Sequence, residues 1–166
     1  MAARRSGLIV NIGSIMGEIP TPWNAFYCAA KAAVHSMTET LRSEAAPFGI
    51  EVLLVAPGAV QSNIAANQAN QQGGDAAAHI LPEGSLYGEF VERIVARLYV
   101  SQTKGQSMPT EKFTNLVAGR MEKAQPGGFL TAGGGAMLFK ILGLLPRRLV
   151  LWIMAKVWVR KGTKSA

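Results

Sequence analysis

Residues 7 to 13, Gly-Leu-Ile-Val-Asn-Ile-Gly, form a short apolar, β-branched run closed by glycine, the pattern of a strand buried on both faces. Thr21-Pro22 then offers an N-cap with proline at the first helical position. The Ala-rich stretch that follows meets no breaker until Pro47 and Gly49, which predicts one long helix ending near Ala46. Residues 49 to 56, Gly-Ile-Glu-Val-Leu-Leu-Val-Ala, repeat the buried-strand pattern and stop at Pro57-Gly58. Strand, helix, strand in that order predicts a parallel, right-handed crossover and an α/β fold.

Beyond Ser62 the composition turns to Asn, Gln, Ala and Gly as far as about Ala78, which predicts a loop of the kind that borders a site. Ser85 is placed to cap a helix reaching about Ser101, with Leu86, Phe90, Ile94 and Leu98 on one face. A second amphipathic helix is expected from Pro109 to about Ala124, striped by Phe113, Leu116, Val117 and Met121. Both stripes are expected to pack as core. Phe129-Leu130-Thr131 predicts a last short strand before the Gly133 to Gly135 triplet. Residues 137 to 145 and 149 to 159 are apolar runs split by Pro146-Arg147-Arg148, and they are expected to form a distinct tail.

With 166 residues and 49% hydrophobic composition, the chain suits one domain with a real core. The lone cysteine, Cys28, excludes an internal disulfide and fits a reducing compartment. No secretory signal is visible, because the basic start leads into too short an apolar stretch. A formal charge of +7 raises the question of nucleic acid. Residues 1 to 122 carry nine Lys or Arg and all ten Asp and Glu, whereas residues 123 to 166 carry eight basic residues and no acid. The whole excess therefore sits in a tail that also holds Trp152 and Trp158. That mixture suits an anionic membrane surface and contains no base-reading motif, so no nucleic-acid partner is expected.

Tyr27 and Lys31 lie four apart on the predicted long helix and project from the same face. A phenol is a poor base near neutrality, but an adjacent ammonium favours phenolate, so the pair is a candidate proton-transfer unit. Ser14 falls just past the first strand, where open α/β sheets place ligands, and its hydroxyl could polarise a carbonyl oxygen. The Tyr-x-x-x-Lys spacing alone is weak: three Tyr and eight Lys in this length predict about 0.14 chance matches. Its weight comes from conjunction with the strand serine, the second strand and the Pro57-Gly58-Ala59-Val60-Gln61-Ser62 segment. No metal cluster, phosphate loop or nucleophile with a base is present, and His35 and His79 are given no role.

Asn-Ile-Gly-Ser14, Tyr27-Cys-Ala-Ala-Lys31 and Pro57-Gly-Ala-Val60 together resemble the short-chain dehydrogenases/reductases, over roughly residues 6 to 125. The resemblance implies a partial Rossmann-like, doubly wound parallel sheet over residues 1 to 132, with a helical, basic apolar tail over 133 to 166. It makes Tyr27 the acid/base, Lys31 its partner and a ligand of the nicotinamide ribose, and Ser14 the group that holds the substrate carbonyl. Pro57, Gly58 and Val60 would border the nicotinamide, with the Val60 backbone reaching its carboxamide. Ser62 stands where the family usually has threonine. Within the family, residues 17 to 23, the segment through Asn63 and the Leu-Pro-Arg-Arg tail look most like fungal acyl-dihydroxyacetone-phosphate reductases. That implies NADPH as cofactor, without excluding NAD, and a lipid-like ketone as substrate. Hydroxysteroid and retinol reductases share the same core motifs and remain open.

The glycine-rich turn that binds pyrophosphate has no counterpart here, since Gly13 to Gly17 follows a strand but lacks the G-x-G-x-x-G order. The family's catalytic asparagine is absent too, and Asn11, inside a strand, does not replace it. A missing half of about 100 to 130 residues is expected on this reading. The isolated chain is then expected to fold poorly, aggregate or pair with another copy as a homodimer. A catalytically inactive remnant that acts only in membrane association or dimerisation is the alternative from another class. Leu149 to Val159 is 11 residues, about 16 Å of helix and half a bilayer core. It is expected to lie at the headgroup boundary of the endoplasmic reticulum or a lipid droplet, or else to cover the substrate cleft.

Overall fold

The computed structural model describes residues 1–63, 81–103 and 105–159. Three strands, β1 (Gly7–Ile12), β2 (Ile50–Pro57) and β3 (Phe129–Ala132), pair in parallel in the order β1-β2-β3. Gly7 faces Ile50 and Ile12 faces Val55, while Leu54 faces Phe129 and Pro57 faces Ala132. The six described helices are α1 (Ile15–Glu18), α2 (Ala25–Ala45), α3 (Val91–Leu98), α4 (Thr110–Met121), α5 (Ala136–Leu142) and α6 (Arg147–Trp158). The expected α/β architecture is therefore present. Most of the loop expected over residues 62 to 78, and His79, lie outside the described residues.

Each strand's burial follows its place in the order. β2, paired on both edges, buries Val52 through Ala56 completely. β1 is only half-buried, with Ile12 exposed, so the expectation of burial on both faces fails there. Its apolar pattern is that of an inner strand, yet among the described residues it has a strand on one side only. β1 and β2 are joined through α2, which lies along them with Cys28, His35, Thr38 and Ala45 buried.

α2 begins at Ala25, later than Thr21-Pro22 suggested. Thr21 is buried and spends its hydroxyl on Arg97, and Trp23 takes φ 67°, a left-handed conformation that interrupts any helix started before it. The short α1, capped by Ser14, had no signal in the hydrophobic pattern. The helix expected from Ser85 to Ser101 is shorter, with 3-10 turns at Gly88–Phe90 and Val100–Gln102 on either side of α3. Ser85 accepts from the Tyr87 N–H in a turn instead of capping a helix. Ile94 is buried as expected, but Leu86, before the helix, is 93% exposed. The α4 stripe does not form core: Phe113 and Val117 are half-buried, and Leu116 and Met121 face solvent. Amphipathic spacing identifies a helix and its apolar side, but it does not supply the surface that side must meet.

In the tail, Leu142, Val150 and Met154 form an apolar cluster with Ile19, flanked by Phe139, Ile153 and Trp158. Arg147 donates to the Glu18 carbonyl at 2.7 Å, and Arg93 donates to the Trp158 carbonyl at 3.2 Å. The tail is thus docked against the chain just after Ser14 and α1.

Two outcomes follow. Leu53→Ala, in the middle of β2, should cost about 2–5 kcal/mol in urea unfolding, as a large-to-small change in a site that cannot collapse. The edge of β1 that carries no strand among the described residues should drive self-association, read as a concentration-dependent rise in mass by light scattering. A monomer with one sharp cooperative melt would contradict the second.

Candidate functional site

β1 ends at Ile12, and the Gly13 N–H prolongs the ladder by donating to the Val55 carbonyl at 2.7 Å. The chain then turns sharply into α1. Ser14 is its N-cap, 3% exposed, and its Oγ accepts from the Met16 N–H at 3.2 Å. That bond uses the oxygen as acceptor and leaves the hydroxyl proton available to a ligand.

α2 brings Tyr27 and Lys31 to the same end of β1. Lys31 Nζ donates to the Ile12 carbonyl at 3.0 Å and lies 5.7 Å from the centroid of the Tyr27 ring. One ammonium thus touches the end of the serine strand and stands beside the phenol, which is 40% exposed. The helix is held in this register by its inner face. Thr38 Oγ1 donates to the Val34 carbonyl and accepts from Asn11 Nδ2 at 3.0 Å, so Asn11 links β1 to α2 and stands outside the site, as its position in the strand implies.

The Pro57–Ser62 segment leaves the end of β2 between two other backbones. On one side, Gly58 N–H donates to Ala132 O, and Ala59 and Gly134 exchange N–H to O bonds, each at 2.8 Å. On the other side, Met108 N–H donates to Ala59 O, and Gln61 N–H donates to Met108 O, each at 2.9 Å. This closeness requires glycine. A Cβ on Gly58 would lie 2.2 Å from Gly134 O, and one on Gly134 would lie 1.6 Å from Gln106 O. The parallel bridge to Met108 uses the neighbours of Val60, so Val60's own N–H and C=O have no hydrogen-bond partner among the described residues. Among the described residues, both are open to a ligand amide such as the carboxamide end of a nicotinamide. Ser62 is half-buried at the segment's far end.

Three features of this region went unassigned in the sequence. His35 is buried directly behind the serine turn, its Nε2 accepting from the Ser14 N–H at 3.3 Å. Arg97, 6% exposed, donates to Thr21 Oγ1 and Met16 Sδ and lies against the Trp158 ring. Burial lowers its pKa from the ordinary arginine value, while Cys28 and Tyr27 act to raise it. Trp23 packs on Phe90 (centroids 5.1 Å apart) and edge-on to Tyr87 (5.5 Å). These contacts hold the Ser14–Tyr27 connection in its left-handed turn and join it to the segment before α3. The available signal for His35 was its spacing, seven residues after the buried Cys28 on the same helix. For Arg97 and Trp23 the contacts span 76 and 64 to 67 positions of sequence, beyond the reach of local pattern.

A family model described as short chain dehydrogenase matches residues 1–73. The chain is 33% identical over 150 residues to the short-chain dehydrogenase virD of Hypocrea virens, covering 90% of this chain and 48% of that protein. It is also 33% identical over 113 residues to the NADPH-dependent 1-acyldihydroxyacetone phosphate reductase of Schizosaccharomyces pombe, covering 68% of this chain and 34% of the relative. A solved short-chain dehydrogenase from Streptomyces avermitilis superposes with a TM-score of 0.67 at 27% identity, over 95% of this chain and 53% of the other. The chain thus spans about half the length of the curated relatives it matches. With the serine turn, the Tyr-x-x-x-Lys helix and the parallel sheet in the places the motifs implied, the chain belongs to the short-chain dehydrogenase/reductase family of oxidoreductases.

Proposed function

We propose that this chain carries the proton-transfer half of an NADPH-dependent reductase that converts a lipid-like ketone to an alcohol. The observation that carries the reading is the Lys31 ammonium, fixed on the Ile12 carbonyl and set beside the Tyr27 ring. Ser14 Oγ donates its free proton to the substrate carbonyl oxygen and polarises it. Tyr27 gives its proton to the alkoxide as this forms, and Lys31 stabilises the phenolate left behind. The Val60 N–H and C=O, with Pro57, Gly58 and Ser62, would hold the carboxamide end of the nicotinamide, and Lys31 its ribose. NADPH bound there supplies the hydride. The choice of NADPH and of a lipid ketone is supported by the similarity to the S. pombe NADPH-dependent 1-acyldihydroxyacetone phosphate reductase. Fluorescence titration with NADPH should give saturable quenching, and Tyr27→Phe should bind alike while losing about 10²–10⁴-fold in ketone turnover. Full turnover by Tyr27→Phe would overturn Tyr27 as the proton donor, and no binding by a folded chain would overturn the enzymatic reading in favour of an inactive remnant.

We also propose that the tail rests on an anionic membrane or lipid-droplet surface. Met137, Leu138, Ile141, Leu144, Leu151 and Trp152 are exposed on and between α5 and α6, beside the exposed cations Lys140, Arg148 and Lys156. No helix among the described residues is long and apolar enough to cross a membrane, so the geometry supports interfacial docking. Arg148 and Lys156 would each add about 1 kcal/mol near an anionic surface. Flotation with phosphatidylserine vesicles should recover the chain and should fail for Leu151→Glu/Trp152→Glu. Equal flotation of both would reject the docking.

A further inference from the structure

Ser14 sits on a turn wrapped around one imidazole. His35 Nε2 accepts from the Ser14 N–H at 3.3 Å, and the ring is buried edge-on to Phe129, 6.4 Å between centroids. The glycines on either side of the serine exist in its shadow. A Cβ on Gly13 would lie 2.3 Å from His35 Nε2, and one on Gly17 would lie 2.7 Å from the same atom. Acceptance at Nε2 demands a lone pair there, so the ring must be neutral with its proton on Nδ1. Met16 fixes the Ser14 side chain, but the turn that carries both hangs on this ring.

We infer that His35 is a positioning residue for Ser14, holding the serine turn in place while neutral and releasing it when a proton on Nε2 meets the Ser14 N–H. The inference rests on the reading of Ser14 as the group that polarises the substrate carbonyl. The groups around the ring are Glu18 at the end of α1, Glu39 and Lys31 on α2, and the Ser14 backbone. Burial dominates and lowers the His35 pKa below its ordinary 6.5, and Lys31 adds to the lowering; Glu18 and Glu39 oppose it, as does hydrogen bonding to the Ser14 backbone, a raising that an acceptor gives and that is separate from the Ser14 N–H donating to the neutral ring. Because the folded value is the lower one, the ring's contribution to stability is present above 6.5 and is lost as pH falls through the folded value. Acid should therefore loosen the serine turn.

The test is a pH titration of the ¹⁵N-labelled chain, following both His35 ring nitrogens and the Ser14 amide. The expected result is an unprotonated Nε2 at neutral pH and a Ser14 amide that shifts on acidification with the same midpoint as His35, below 6.5. His35→Gln, whose Oε1 can accept from the same place, should keep the neutral-pH Ser14 shift and abolish its pH dependence. His35→Leu should lose the neutral-pH shift. A neutral ring protonated on Nε2, or a Ser14 amide that ignores the His35 titration, would overturn the inference. These signals need no turnover, so their failure is distinct from failure of the reductase reading, which the Tyr27→Phe comparison decides.

Discussion

Among the described residues only β2 has a strand on each side, and five consecutive residues of it, Val52 to Ala56, have been removed from water. At about 25 cal/mol per Å² of buried apolar surface, this is the densest stabilising segment among the described residues. Everything at the site is referenced to it. β1 is laid against it residue for residue, so the position of Ser14 follows from where β1 ends. α2 is the link between these two strands, so Tyr27 and Lys31 are delivered to the same end. The Pro57–Ser62 segment is simply β2 continued past its last partner.

Much of this was legible because parallel strands and a long helix write themselves in local composition. Gly7–Ile12 and Ile50–Pro57 were found within a residue, and β3 emerged despite its shortness because glycines frame it. The start of α2 was misplaced because Thr21-Pro22 carries a helix-start signal that is overridden by a distant partner, Arg97. The burial of β1 and the α4 stripe was overstated for a common reason. Apolar spacing reports what a segment can bury, and whether a covering surface is present depends on other parts of the fold.

At the site, the residue types with chemical meaning were recognisable and their supports were not. Ser14, Tyr27 and Lys31 stood out by type and spacing, and the structure gathers them at the end of β1. The His35 imidazole looked like an ordinary packed side chain, and it is one; only its aim at the Ser14 N–H makes the packing matter. Gly13 and Gly17 looked like loop glycines, yet their missing side chains are the space that ring occupies.

The crossing of the Gly58, Gly134 and Gln106 backbones divides the site into a part that can diverge and a part that cannot. No side chain of any kind can be added at Gly58 or Gly134 without parting two main chains, so the floor beneath Val60 admits almost no heritable variation. The aromatic wall of Trp23, Tyr87 and Phe90 is built from side chains meeting side chains and can be repacked. Descendants of this sequence can rewrite that wall and the segment before α3 far more freely than the crossing, which stays the same.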